Sequence, residues 1–268
     1  MPSISRLLPV FAGLINYGNP FEIFVHRVFQ RDGEMTIVDR RTKVKVRAQR
    51  RSYHMFSETW YDRDYDVAGC PIRENDLVVD VGANQGFFTC YAAQKGARVY
   101  AFEPNPATFE VLQGNIARNG FAERVDAKCV AVADFEGEAD LFCSSFLGGG
   151  SDTINAAHAA AVTVSMAAEP GKSISVNVAR LSSLIPADAR VRLLKLDCEG
   201  AESAILRELP NPERFDSIAI EFHPDAYPVE SLIKTVLELG THQVYAWHRQ
   251  IVHAIRTDVL LEFARDQK

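Results

Sequence analysis

Residues 77–86, LVVDVGANQG, and residues 98–104, RVYAFEP, decide the reading of this chain. Leu77, Val78, Val79 and Val81 form a short apolar run, as expected of a buried strand, and the run breaks into a glycine loop that opens a helix near Gly86. Val99–Phe102 reads as the next parallel strand, and it ends in a carboxylate, Glu103. Strand, glycine turn, helix and second strand ending in an acid make a nucleoside-binding half-site, in which Glu103 is placed to accept both hydroxyls of a ribose. Gly82 and Gly86 are expected to let backbone approach a ligand where a Cβ would collide.

The spacing argues against a dinucleotide. A pyrophosphate fingerprint has its second glycine where this chain has Asn84, and Asp80 puts a negative charge just before the turn. An NAD-dependent oxidoreductase is therefore the weaker reading. A carboxylate before the turn suits a ligand with a cationic end. S-adenosylmethionine offers a ribose for Glu103, an ammonium for Asp80 and a carboxylate for the N-terminus of the helix.

The chain has 268 residues, 47% of them hydrophobic, enough for a full α/β core and an additional subdomain. No apolar run is long enough to span a bilayer. The first residues, MPSISRLLPVFAGLI, are a poor secretory signal and read as an amphipathic arm. Five cysteines without C-x-x-C spacing indicate neither a zinc site nor a disulfide framework, so a cytoplasmic location is expected. The net charge of −6 argues against a surface built for nucleic acid. One segment disagrees: RRTKVKVRAQRR, residues 40–51, puts Lys43, Lys45 and Arg47 opposite Val44, Val46 and Ala48. The favoured reading is the solvated face of an edge hairpin. The sharper one is a docking surface for an acidic acceptor, such as a nucleotide-linked sugar or a phosphorylated carrier.

The chain divides near Asn75–Asp76, giving an N-terminal arm and β-hairpin region over 1–76 and a nucleoside-binding domain over 77–268. The first region shows strand patterns at Glu22–Val28 and Met35–Arg47 and an aromatic, acidic stretch at 57–66; acceptor binding or an oligomer contact, such as a homodimer, is its expected use. The second alternates strand and helix, which by the right-handed crossover rule builds one parallel sheet covered on both faces. Its strands are expected at Leu77–Gly82, Arg98–Phe102, Val125–Ala133, Val191–Asp197 and Ser217–His223. Gln243–His248 and Val259–Phe263 would close the sheet as an antiparallel pair. A long detour, Ser144–Lys172, leaves the carboxyl edge of the sheet and is expected to lie partly over the cleft as a lid.

DVGANQGFFT, AFEPNP followed by LQGNIARN, and KLDCEGAE resemble the signature blocks of FkbM-type methyltransferases, within the class I, Rossmann-like S-adenosylmethionine-dependent superfamily. The resemblance runs from roughly Ser57 to the C-terminus. It implies the α/β class I methyltransferase sheet, order 3-2-1-4-5-7-6 with the last strand antiparallel. It also implies methylation of an oxygen, commonly a hydroxyl on a sugar, glycoconjugate or secondary metabolite. By position, Asp80, Gly82, Ala83, Asn84 and Gly86 would line the methionine end of S-adenosylmethionine, and Glu103, Pro104 and Asn105 the ribose. Ala131–Asp134, with Asp134 at its end, is the expected adenine wall.

KLDCEGAE is the second site of interest. It closes the fourth strand of the sheet, beside the first across the topological switch point, where open α/β sheets bind their ligands. Alternation puts Lys195 and Asp197 on one face, so Asp197 lies where an acceptor hydroxyl would approach. Methyl transfer needs positioned reactants and a base for the hydroxyl proton, and Asp197 and His223 are the candidates. Glu199 and Glu202 read as acids favoured by a helix dipole. Asp197, Glu199 and Glu221 form an oxygen-rich set of the kind that holds magnesium, but the spacing does not demand it and no metal is assigned. An N-methyltransferase acting on bases or amides would more often carry an N-P-P-Y-like turn where this chain has D-C-E-G.

Overall fold

The computed structural model describes residues 15–28, 33–49, 52–143, 152–156, 159–160, 172–224 and 226–266. The expected arm over residues 1–14 and most of the 144–172 detour lie outside the described residues.

The framework is a seven-stranded sheet of β3 (Leu77–Val81), β4 (Arg98–Phe102), β5 (Val125–Lys128), β9 (Val191–Leu196), β10 (Phe215–Glu221), β11 (His242–His248) and β12 (Ile251–Arg256). Across the sheet they run β5-β4-β3-β9-β10-β12-β11. Counted from β3 as the first, that is the order 3-2-1-4-5-7-6. β12 pairs antiparallel to β10, while β3, β4, β5, β9 and β10 pair in parallel. Strands β3, β9 and β10 are buried almost end to end, which is why their sequences are continuous apolar runs rather than alternating ones. The helix after β4, α4 (Pro106–Arg118), starts sharply: Pro106 occupies its first turn and the Asn105 side chain accepts from the Ala107 and Thr108 N–H groups.

Three strand expectations change. Glu22–Val28 is not a strand but part of a helix, α1 (Pro20–Val28), with Ile23 buried beside exposed Phe21. Pro20 sets the first helical φ, and the Asn19 side chain ties Glu22 to the Val38 N–H and the Thr36 carbonyl. Val125–Ala133 is broken. β5 ends at Lys128, and Ala131–Val132 (β6) joins a separate three-stranded sheet with β7 (Gly137–Phe142) and β8 (Ser173–Ala179). Val259–Phe263 lies in a helix, α8 (Thr257–Asp266), because the last strand finishes earlier, after a tight turn in which Arg249 takes φ 53°. Val259, Leu260 and Phe263 then share a helical face.

The N-terminal region docks on this framework. The hairpin of β1 (Glu34–Val38) and β2 (Lys45–Gln49) alternates as expected, with Val44, Val46 and Ala48 buried and Lys43, Lys45 and Arg47 exposed. Its outer edge is closed by side chains of α4. Asn115 and Asn119 each donate to a β2 carbonyl and accept from a β2 N–H, at Arg47 and Lys45, supplying the ladder a neighbouring strand would have made. Phe56 and Trp60 stack at 5.2 Å, and one continuous cluster of buried residues runs from Tyr17 through these rings to Val78, Phe88 and Val99. Residues 17–72 thus share a core with the first half of the nucleoside-binding domain.

Candidate active site

At the carboxyl ends of β3, β4, β9 and β10 lies a cleft whose two sides are built differently. On the β3–β4 side the backbone does the work. After Val81 the chain turns through Gly82 at φ 76°, Asn84 at φ 50° and Gly86 at φ 85°, and helix α3 (Phe87–Gln94) begins. The Asn84 N–H donates to Glu103 Oε2 and the Asn105 N–H to Glu103 Oε1, both at 2.9 Å. Two amides therefore fix the Glu103 carboxylate in the cleft wall, each oxygen keeping a second lone pair. Burial pushes the Glu103 pKa up to about 8, against the pull of those amides.

The glycines also meet close contacts within the protein. A Cβ on Gly82 would stand 1.7 Å from the Asp197 carbonyl oxygen, and one on Gly86 would stand 2.5 Å from Leu112 Cδ1. Backbone contact at Gly82 and the positive φ of both residues favour glycine at these positions. Asp80 has its own partners within the protein. Its side chain is fully buried, accepts from Thr89 Oγ1 at 2.6 Å and lies 3.1 Å from Lys195 Nζ, so its charge is answered inside the protein. Ala83 is buried, its N–H bonded to the Phe102 carbonyl. Of the expected cofactor residues, Gly82, Asn84, Glu103 and Pro104 line the cleft, with Val130, Ala131 and Val132 as an apolar wall. Asp134 is exposed and outside that lining, because the wall is made by the short β6 and the chain turns away after it.

On the β9–β10 side the work is done by side chains from distant segments. Lys195 Nζ donates to the Gly82 carbonyl at 2.8 Å and forms ion pairs at 3.1 Å with both Asp80 and Asp197. Burial works against its charge, but Asp197 and Asp80 outweigh burial and hold its pKa above the usual lysine value. Tyr65, missed in the sequence, donates to Glu221 Oε2 at 2.6 Å and lies 3.1 Å from Asp197 Oδ2. Burial, then the Asp197 and Glu221 charges, raise the phenol well above its ordinary pKa, so it stays a donor. The two Asp197 oxygens are thus distinct: Oδ2 faces Tyr65 and Lys195, and Oδ1 faces His223 Nε2 at 3.8 Å. His223 Nδ1 lies 3.3 Å from Glu199 Oε2.

The D-C-E-G turn that carries Asp197 is held from below. Glu202 is fully buried and accepts from the Cys198 and Gly200 N–H groups and from the Tyr227 hydroxyl. It anchors the turn rather than merely answering a helix dipole. Glu199, at φ 56°, sits in the turn before the helix and lines the cleft; burial raises its pKa well above the usual carboxylate range, partly offset by His223. Part of the detour reaches the same place. Thr153 Oγ1 donates to the Glu199 carbonyl at 2.6 Å, Asp152 accepts from Asn105 Nδ2 at 2.6 Å, and Asp152 and Ile154 line the cleft. Tyr65 stands in the aromatic, acidic stretch already marked in the sequence, but no local pattern signals its reach across the fold.

Among the described residues the acids near the cleft gather with a histidine. Asp197, Glu199 and His223 offer ligand atoms within 4.8 Å of one another, while Glu221 is taken up by Tyr65. Magnesium favours an all-oxygen octahedron, and a trio containing an imidazole that already faces both carboxylates fits it poorly.

Sheet order, glycine turn, strand-end acid and second acid at the switch point define a class I, Rossmann-like methyltransferase. The FkbM methyltransferase domain matches residues 80–246, and the chain belongs to that family. It is 29% identical over 195 residues to a 31-O-demethyl-FK506 methyltransferase of Streptomyces tacrolimicus, covering 63% of this chain and 74% of that one. It is 30% identical to Methyltransferase 1 of Beauveria bassiana, covering 68% and 77%. A hexuronic acid methyltransferase of Haloferax volcanii is 25% identical over 68% of this chain and 73% of its own. No helix among the described residues is long and apolar enough to cross a membrane.

Proposed function

We propose that this chain is an S-adenosylmethionine-dependent O-methyltransferase acting on a hydroxyl of a sugar, glycoconjugate or secondary metabolite. The observation that carries the reading is the pairing, across one cleft, of a carboxylate fixed by two backbone amides with a second carboxylate whose oxygens have separate surroundings. Glu103 offers lone pairs for the two ribose hydroxyls, and Val130–Val132 an apolar wall for a flat base. S-adenosylmethionine, when bound, supplies an electrophilic methyl group on a sulfonium. The acids lining the cleft favour a cationic centre and disfavour an anionic group beside it, which suits a neutral hydroxyl as nucleophile. Two relatives bear names that place their methyl transfer on 31-O-demethyl-FK506 or on a hexuronic acid.

In this reading Asp197 Oδ1 takes the proton of the acceptor hydroxyl as its oxygen attacks. Lys195 and Tyr65 hold Oδ2, so the carboxylate cannot rotate away, and Gly82 keeps the two sides of the cleft in register. His223 orients Glu199 and stands beside Oδ1. Two measurements test the proposal. Calorimetry with S-adenosylhomocysteine and, separately, NAD is expected to show binding of the first alone; binding of NAD alone would overturn the assignment. In methyl transfer from labelled S-adenosylmethionine, Asp197→Asn is expected to keep the fold and cofactor affinity while turnover falls roughly a hundredfold or more. Turnover within a few-fold of wild type removes Asp197 from the mechanism.

A further inference from the structure

A second cavity, of about 530 Å³, lies away from the methyl-transfer cleft, between the turn of the N-terminal hairpin, the 60–63 segment and the C-terminal end of α3. Its size is within the range of small-molecule sites, about 300–1,000 Å³. Four cationic side chains line it, Arg40, Arg41, Arg63 and Lys95, against a single carboxylate, Asp39. That carboxylate is already used: Oδ2 accepts from the Arg41 and Thr42 N–H groups and from Thr42 Oγ1, which fixes the hairpin turn. Lys95 shares its charge with Asp66 at 3.4 Å. Arg40 donates to the Ile15 carbonyl, and among the described residues neither Arg41 nor Arg63 has a carboxylate within ion-pair distance.

In a chain of net charge −6, a cavity lined by four cations and one carboxylate carries an excess of positive charge that an anion would relieve. Guanidinium groups present paired N–H donors that match phosphate oxygens, and Arg40 and Arg41 are carried on a turn held rigid by Asp39. Tyr61 and Tyr91 supply an aromatic wall for whatever the phosphate is attached to. We infer that this cavity binds the phosphate groups of a small phosphorylated molecule, and that it is a site separate from the methyl-transfer cleft. The basic segment divides by cavity: Arg40 and Arg41 line it, and exposed Lys43, Lys45 and Arg47 do not.

The test is calorimetry on the full chain with inorganic pyrophosphate, UDP and uridine, at low salt and with S-adenosylhomocysteine present. Pyrophosphate and UDP are expected to bind and uridine not to. The Arg41→Ala/Arg63→Ala double variant is expected to lose at least tenfold in affinity for both, and Lys45→Ala, on the solvent face of the same hairpin, to behave as wild type. Binding of UDP but not pyrophosphate assigns the site to nucleotides, and equal binding of both to the diphosphate itself. Flotation with vesicles containing anionic phospholipid covers the remaining source; vesicle binding that needs Arg41 and Arg63, without pyrophosphate or UDP binding, overturns a small-molecule site. Absence of binding at millimolar ligand, or equal loss in Lys45→Ala, also overturns it. The outcome is independent of the methyl-transfer reading, because no probe needs the cleft.

Discussion

The two sides of the cleft put a carboxylate in nearly the same relation to the ligand space by opposite means. Glu103 is held by the amides of Asn105, two residues on, and Asn84, nineteen residues back, so its geometry follows from the strands, loops and helix of one βαβ unit. Asp197 is held by Tyr65 from 132 residues away, by Lys195 two residues back and, through its carbonyl, by contact with Gly82. A site fixed by local backbone survives side-chain changes elsewhere, whereas a site fixed by long-range side chains fails with any of its partners.

The change expected to do most damage strikes where the two sides meet. Gly82→Val would drive a Cβ into the Asp197 carbonyl and force a branched residue to a positive φ, so a loss of about 3 kcal/mol or more is expected, together with loss of S-adenosylhomocysteine binding. Thermal denaturation and calorimetry measure both; a variant that is stable and binds normally would mean the two strands are not held in this contact.

Next in size is Glu103→Ala, which removes two charge-assisted hydrogen bonds, each worth about 1.5–3 kcal/mol, and is expected to weaken S-adenosylhomocysteine binding at least tenfold with the fold intact. An unchanged dissociation constant refutes the ribose assignment. On the other side, Tyr65→Phe keeps the ring against Phe88 and deletes only the hydroxyl. It is expected to lower turnover about tenfold, leave cofactor affinity unchanged and cost roughly 1 kcal/mol of stability. If affinity falls with turnover, Tyr65 serves the whole cleft rather than the acceptor side.

The smallest effect is a pH dependence. Burial raises the Glu103 pKa to about 8, above its ordinary value of 4.5, so its contribution to stability is full below pH 4.5 and is lost as pH rises through 8. Ribose hydroxyls donate best to the ionised form, so S-adenosylhomocysteine should bind several-fold more tightly at pH 9 than at pH 6, with proton release. Glu221, also raised to about 8 by burial and by Asp197, has the same sign of effect on stability but does not line the cleft. Glu103→Gln should therefore flatten the pH dependence of binding, and Glu221→Gln should not. The reverse pattern would move the ionisable contact to the acceptor side.

The strands, the glycine turn and the acid closing the second strand were legible because each rests on short-range pattern, and the sheet order followed from the family resemblance. Misreadings fell where a short apolar segment fits either period. Glu22–Val28 and Val259–Phe263 satisfied a strand pattern by composition, and only their neighbours in space, the hairpin and the early end of β12, made them helices. Asp80 was placed correctly on its strand but its partner, Lys195, comes from another, so sequence alone could not show the charge turned inward.

By itself, then, the sequence determined the class of fold and the acid that closes the second strand of the nucleoside-binding domain, because hydrophobic periodicity and backbone conformation act over a few residues, and its motif blocks determined the family. The tertiary structure decided why Gly82 packs as glycine, which oxygen of Asp197 is held, that Tyr65 reaches Asp197 and that Arg40, Arg41 and Arg63 line one cavity. These depend on contacts between segments tens to more than a hundred residues apart, which no local pattern encodes.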